Sequence, residues 1–189
     1  MGYNAATTMR DKCVNLGSIE STGYNNVGGI IGYCTSEAMT MMNCANHGDV
    51  KSLKFVGGLM GGESGKIYNS YSDGNVTSNK GPVPHIKYAG GLVGTGSIVL
   101  TNVYVGGTRP VNGRWISGNK SGATCANVYR PAGDELSDVN DGVASGVSTY
   151  ADNATLISTL NANSVPIPTG YNKVGWKTGT NGPKLNFEQ

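Results

Sequence analysis

A five-residue phrase occurs three times in the first half of the chain: Gly28-Gly29-Ile30-Ile31-Gly32, Gly57-Gly58-Leu59-Met60-Gly61 and Gly90-Gly91-Leu92-Val93-Gly94. The copies start 29 and then 33 residues apart. Self-similarity at a period of about 20–50 residues marks a stacked repeat, whose small units bury their apolar faces against their neighbours. Each copy has a downstream half: Asn43-Cys44-Ala45-Asn46-His47-Gly48-Asp49-Val50, then Asn69-Ser70-Tyr71-Ser72-Asp73-Gly74-Asn75-Val76, then Asn102-Val103-Tyr104-Val105-Gly106-Gly107. Asn127-Val128-Tyr129-Arg130 is a decayed fourth half. A lone downstream half, Lys12-Cys13-Val14-Asn15-Leu16-Gly17-Ser18-Ile19, lies near the start, so the chain is read as a fragment of a longer parent that opens inside a repeat.

The apolar runs Val27 to Ile31, Phe55 to Met60 and Tyr88 to Val93 have strand length and are bounded by glycine and polar turn residues, which favours strands over helices. Short strands repeated in the same order fit a coil whose equivalent strands pair in parallel from turn to turn, at about 4.8 Å. The predicted fold is therefore all-β: a parallel β-solenoid of about four turns of ~30 residues, with a small C-terminal cap containing a short helix. Parallel crossovers are nearly always right-handed, so a right-handed coil is expected.

Equivalent positions line up as columns. Cys13, Cys44, Ser70, Val103 and Val128 are small or medium and are expected to point inward. The next column, Val14, Ala45, Tyr71, Tyr104 and Tyr129, then points outward as a tyrosine ladder. The column Asn43, Asn69, Asn102 and Asn127 has two readings, an amide ladder or residues that tolerate a turn. The glycines suit either a positive φ or a close approach of backbones.

The Gly-Gly-Leu-Val-Gly phrase with its Cys/Tyr-containing, Gly-Asn-Val-type downstream half resembles the GLUG motif, over about residues 10–130. That motif recurs in large secreted and surface-anchored bacterial proteins, including regions of IgA-cleaving metallopeptidases. The resemblance implies a secreted or cell-surface setting and supplies no catalytic residues. Trp115-Ile116-Ser117-Gly118 departs from the phrase.

Composition narrows the partners. Glycine, at 30 of 189 residues, is about twice its usual share, and 14% charged residues is well below the usual quarter. With 38% hydrophobic residues in register, this fits an extracellular solenoid rather than a disordered tail. The net charge of +2 is scattered, which argues against nucleic acid. No run of about 18 apolar residues is present, so no membrane insertion is expected within this chain. Met1-Gly2 followed by half a repeat reads as an expression start, so a missing leader carries no information and a signal peptide and anchor are expected in the parent. Cys13, Cys34, Cys44 and Cys125 match no zinc spacing. Cys13 and Cys44 share a column within disulfide range; the favoured reading is a buried thiol stack.

After Arg130 the repeats fade, and the chain divides into residues 1–133, the solenoid, and 134–189, a linker and cap. Asn153 to Leu160 reads as a helix capped by Asp152 or Asn153, with Leu156, Ile157 and Leu160 on one face. Val165-Pro166-Ile167-Pro168 must be extended. The helix face and Trp176 are expected to plug the last turn, whose open edge otherwise invites aggregation. A sugar-stacking role for Trp176 is the alternative.

Catalytic chemistry finds little footing. His47 and His85 are the two histidines, and neither lies in a His-Glu-x-x-His arrangement. His47 falls in a turn column with Leu16 and Asp73. A glycosidase or lyase needs converging acids, and Asp49 and Asp73 are the nearest to an aligned pair. Asp134, Asp138, Asn140 and Asp141 lack the spacing and closing Glu of an EF-hand, so they read as a solvated linker. Gly57 to Gly62 is glycine-rich, but no Gly-Lys-Ser/Thr ends it.

The sequence thus points to a non-enzymatic, monomeric structural or adhesive segment of a bacterial surface protein, with no cofactor or metal. A host protein or glycan is the candidate partner, and Tyr71, Tyr104 and Tyr129 form the candidate binding surface. Two alternatives stand beside it: a carbohydrate-active enzyme on a parallel β-helix, and an accessory region of a large secreted metallopeptidase.

Overall fold

The computed structural model describes residues 3–4, 9–23, 26–79, 89–111, 113–119, 123–135, 141–143 and 145–189. Tyr88, His85, Asp138 and Asn140 lie outside the described residues.

The chain is a parallel β-solenoid of about four turns with one short helix near its C-terminus. A partial first turn comprises β1 (Tyr3–Asn4), β2 (Met9–Asp11), β3 (Val14–Asn15) and β4 (Ile19–Glu20). The next turn is β5 (Val27–Gly28), β6 (Ile31–Cys34), β7 (Thr40–Met42), β8 (Ala45–Asn46) and β9 (Val50–Ser52). Above it lie β10 (Val56–Gly57), β11 (Met60–Tyr68), β12 (Tyr71–Ser72) and β13 (Val76–Ser78). Then come β14 (Ala89–Gly90) and β15 (Ser97–Val105), followed by β16 (Gly113–Arg114) and β17 (Thr124–Pro131). Finally β18 (Val147–Tyr150) pairs in parallel with β17. The stack therefore continues past Gly133, into the segment that the sequence assigns to the cap.

Every rung-to-rung pairing is parallel and in repeat register: Val27, Val56, Ala89 and Gly113 form one column, and Met41, Ile67, Leu100 and Cys125 another. The main core runs up the coil axis through Ile31, Leu59, Met60, Leu92, Ile116 and their neighbours. Cys44, Ser70, Val103 and Val128 are fully buried and Cys13 is half-buried, so this column does face inward. Ser70 is tolerated there because its hydroxyl donates to the Tyr68 carbonyl at 2.7 Å and accepts the Cys44 N–H at 3.0 Å.

The glycine phrase works through crowding. None of its nine glycines has a positive φ. A Cβ on Gly57 would sit 2.1 Å from the Met60 carbonyl oxygen and 2.6 Å from Gly94 N; one on Gly58 would sit 2.2 Å from the Gly91 carbonyl oxygen. Both contacts are with backbone, which has no rotamer by which to move away. In the repeat columns, a positive φ belongs instead to the asparagines: Asn43 at 52°, Asn69 at 45°, Asn102 at 57° and Asn127 at 55°, with Lys12 at 53° below them; Glu63 and eight glycines outside the phrase also have positive φ. Asparagine enters this left-handed region more readily than most residues.

Trp115 to Gly118 departs in sequence but keeps the rung. Arg114 pairs with Gly90, Ser117 bridges to Val93, and the Leu92 N–H donates to the Ile116 carbonyl. Arg130, fully buried, pairs with Asp141 at 2.6 Å, and its guanidinium lies 5.5 Å from the Trp115 ring centroid.

The C-terminal segment holds α1 (Asn153–Ala162), β19 (Trp176–Thr178) and β20 (Pro183–Leu185), the last two antiparallel. Asp152 caps the helix, accepting the Thr155 N–H at 2.8 Å. Leu156 and Leu160 are buried and Ile157 packs beside them. The segment is not a plug on the last turn. It runs back along the flank of the coil, over the tyrosine column.

Candidate functional site

The flank face is where the sequence places its candidate ligand surface, and a hydrogen-bonded set of Asn, Tyr, His and Glu side chains lies on it. Because neighbouring residues on a strand point to opposite sides, an inward Ser70 and Val103 put Tyr71 and Tyr104 outward. Parallel register (Ala45 to Tyr71, Tyr71 to Tyr104, Tyr104 to Tyr129) then stacks them. The rings of Tyr71 and Tyr104 are 4.8 Å apart and within 8° of parallel. The outward ladder is present, but it is not an open surface. Tyr71 is 0% exposed and Tyr104 1% exposed, beneath Leu156, Leu160, Trp176 and Leu185. Tyr129 is half-buried at the edge of the same cluster. Trp176 packs 5.6 Å from both Tyr71 and Tyr104, so it is neither the end plug nor an exposed sugar platform.

Each hydroxyl is engaged by the covering segment. Tyr104 donates to the Pro183 carbonyl, Tyr129 accepts from the Asn163 amide at 3.0 Å, and Tyr71 donates to Glu188 at 2.8–2.9 Å. Burial pushes the phenols of Tyr71 and Tyr104 well up, with the Glu188 carboxylate adding to the effect at Tyr71.

Beside the tyrosines runs the asparagine column, which proves to be both a turn residue and an amide ladder. Asn69 Nδ2 donates to Asn43 Oδ1 at 2.7 Å, and Asn102 Nδ2 donates to Asn69 Oδ1 at 2.8 Å. The same amides hold the cover: Asn43 donates to the Asn172 carbonyl at 2.9 Å, Asn69 to the Val174 carbonyl at 2.8 Å and Asn102 to the Leu160 carbonyl at 3.0 Å. Trp176 Nε1 donates back to Asn69 Oδ1 at 2.8 Å.

At the lower end of this face lies a cluster the sequence did not assemble. His47 Nδ1 is 2.9 Å from Asp73, its Nε2 is 2.8 Å from Glu188, and the Tyr71 hydroxyl stands 3.2 Å from Nε2. Asp73, first, and Glu188, second, raise the imidazole pKa to about 9 through their hydrogen bonds, against the opposing effect of burial. At Glu188 burial pushes the carboxyl up, but the hydrogen bonds from His47, the Leu185 N–H and Tyr71 outweigh it and hold it below its usual range. With both ring nitrogens donating to carboxylates, His47 is an imidazolium and has no lone pair for general-base or metal chemistry. It is a charged clasp that fastens the last residues of the chain to the coil. The cluster borders a groove of about 350 Å³ floored by Val14, Leu16 and Phe187.

A pH dependence follows. The folded-state pKa of His47 lies above its unfolded value near 6.5, so the clasp's stabilisation is complete below that value and is lost as pH rises through about 9. Glu188 acts in the opposite sense: its contribution is present above the usual carboxyl range and is lost on acidification through its lowered pKa. The expected result is a urea midpoint that declines from pH 6.5 to 9.5, with most of the slope removed in His47→Gln. An equal slope in that variant contradicts the assignment.

The other candidate groups are dispersed. Asp49 accepts the Asn75 N–H at 2.9 Å, with Asn75 Nδ2 at 3.0 Å, while Asp73 serves His47. Asp134 takes the Trp115 indole N–H at 3.0 Å and pairs with Arg109 at 3.2 Å; Asp141 pairs with Arg130. Among the described residues, no group of three or more His, Cys, Asp or Glu side chains is arranged to hold a metal ion. Nor is any helix among them long and apolar enough to cross a membrane.

No family model, no curated protein and no solved structure matches this chain.

Proposed function

We propose that this chain is a non-enzymatic structural segment of a secreted or surface-anchored bacterial protein of the GLUG type, a rigid spacer that extends or presents neighbouring parts. The observation that carries this reading is the fate of its aromatic face: Tyr71 and Tyr104 are sealed beneath the chain's own C-terminal segment. Aromatic residues that serve an adhesive surface need an open ring face or edge, and here they are spent on internal packing. The sparse titratable groups support the same reading. The imidazolium of His47 is held between Asp73 and Glu188, and Asp49 serves a separate partner, so the acids near the groove are engaged in structural contacts. The low charge and high glycine content favour the extracellular setting that the GLUG resemblance implies.

The test is an array of glycans and extracellular-matrix proteins probed with the intact chain, run beside a turnover assay on a panel of polysaccharides. A spacer gives neither saturable binding nor turnover. Saturable binding at micromolar concentration makes the segment an adhesin, and turnover lost in Asp49→Asn or Asp73→Asn makes it an enzyme.

A further inference from the structure

The thiols of Cys13 and Cys44 lie apart from the flank face. They occupy one inward column on adjacent strands: Val14 pairs with Ala45 in parallel register, and the Ala45 N–H donates to the Cys13 carbonyl at 2.9 Å. Neighbouring strands run about 4.8 Å apart, inside the Cα separation of roughly 4.4–6.8 Å that a disulfide spans. Both thiols are free, and their contacts are with backbone carbonyls: Cys13 Sγ lies 3.7 Å from the Asp11 oxygen, and Cys44 Sγ lies 3.1 Å from that of Met42 and 3.7 Å from that of Arg10. Their access differs. Cys44 is fully buried, whereas Cys13 is half-buried and so more accessible to a reagent.

We propose that Cys13 and Cys44 form a thiol–disulfide pair, with Cys13 the attacking and Cys44 the resolving thiol, that ties the partial first turn to the one above it. Chemistry and access agree on these roles. The neighbouring Cys44 thiol, and after it the Arg10 guanidinium, lower the Cys13 thiol pKa and favour its thiolate, whereas Cys13 and burial push Cys44 up. The other two cysteines differ: Cys34 is fully buried, and burial raises the Cys125 thiol to about 12.

The oxidant is a small-molecule disulfide, R–S–S–R. The Cys13 thiolate attacks one of its sulfurs; the S–S bond breaks, a mixed disulfide forms on Cys13 and RS⁻ leaves. Cys44 gives its proton to that RS⁻ and attacks the Cys13 sulfur, expelling the second RS⁻, which takes up the proton that Cys13 had released to solvent. Two protein thiols are oxidised, and one R–S–S–R is reduced to two RSH. The new bond closes a loop between positions 13 and 44, at the edge of the stack that has no turn packed beneath it among the described residues.

The intact chain is incubated with oxidised glutathione, alkylated and mapped by peptide mass spectrometry. A Cys13–Cys44 cross-linked peptide is expected, with a mass loss of about 2 Da for two hydrogens, while Cys34 and Cys125 are recovered alkylated. Cys44→Ser stalls with glutathione on Cys13, and Cys13→Ser leaves Cys44 free. Circular dichroism is expected to show that both variants keep their β signal. A glutathione adduct that persists on Cys13 in the parent chain, or modification of Cys34 or Cys125 at a comparable rate, overturns the proposal.

Discussion

Replacing Tyr104 with serine is expected to destabilise the chain by about 3–5 kcal/mol, the range for removing a large buried aromatic. Tyr104 is 1% exposed, stacks on Tyr71 at 4.8 Å and packs on Trp176 at 5.6 Å. Its removal opens a void between the coil and its cover and leaves the Pro183 carbonyl without its donor. Denaturant titration monitored by far-ultraviolet circular dichroism gives the difference directly. Tyr129→Ser, at the half-buried edge of the cluster, is expected to cost clearly less. Equal and negligible effects at both positions describe an exposed ladder and reinstate the tyrosines as a binding surface.

The second large effect is expected at Asn69. Its amide donates to Asn43 Oδ1 and to the Val174 carbonyl, and accepts from Asn102 Nδ2 and Trp176 Nε1. Truncation to alanine leaves two buried donors, from Asn102 and Trp176, without this acceptor, at about 1–3 kcal/mol each. It also places a Cβ-bearing residue that lacks a local hydrogen-bonding group at a φ of 45°, for about 1–2 kcal/mol more. Asn69→Ala is therefore expected to lose about 4 kcal/mol or more. Asn69→Gly relieves only the backbone part and is expected to recover about 1–2 kcal/mol of it. The gap between these variants separates the turn requirement from the amide ladder. A vanishing gap removes the backbone half of the explanation.

These two residues also show what the sequence reveals and what it withholds. The parallel stack is legible because every turn must repeat residues of the same kind or size where columns face themselves, as in the glycine phrase and in the small-to-medium Cys44, Ser70, Val103 column. The outward direction of Tyr71 and Tyr104 follows from the alternation of a strand. The cover is harder to see. Leu156, Leu160 and Trp176 announce a segment that needs an apolar partner, but amphipathicity names no partner, and the open last turn is as good a target on paper as the flank. The decisive contacts span long separations: Asn69 to Trp176, and His47 to Glu188. No periodicity links such positions. The aromatic column itself is the one signal available, since three stacked tyrosines on a flank are either a surface for a partner or a floor for another part of the chain.

The glycines carry a related lesson. Their abundance fits either a positive φ or close approach, and only the geometry separates the two. Gly58 is crowded by the Gly91 carbonyl, while the left-handed positions went to asparagines whose side chains have a second task in the ladder. Arg114 and Trp115 occupy the positions equivalent to Gly90 and Gly91. Asp141 lies above this rung, its carbonyl accepting the Ile116 and Ser117 N–H groups.

The most direct measurement is hydroxyl-radical footprinting of the native chain, read tyrosine by tyrosine by mass spectrometry. A covered flank predicts strong protection of Tyr71 and Tyr104, intermediate labelling of Tyr129 and ready labelling of Tyr171, which is 36% exposed. Labelling of Tyr71 and Tyr104 at the rate of Tyr171 contradicts it: the C-terminal segment then does not lie on the tyrosine column, and that face is open to a partner.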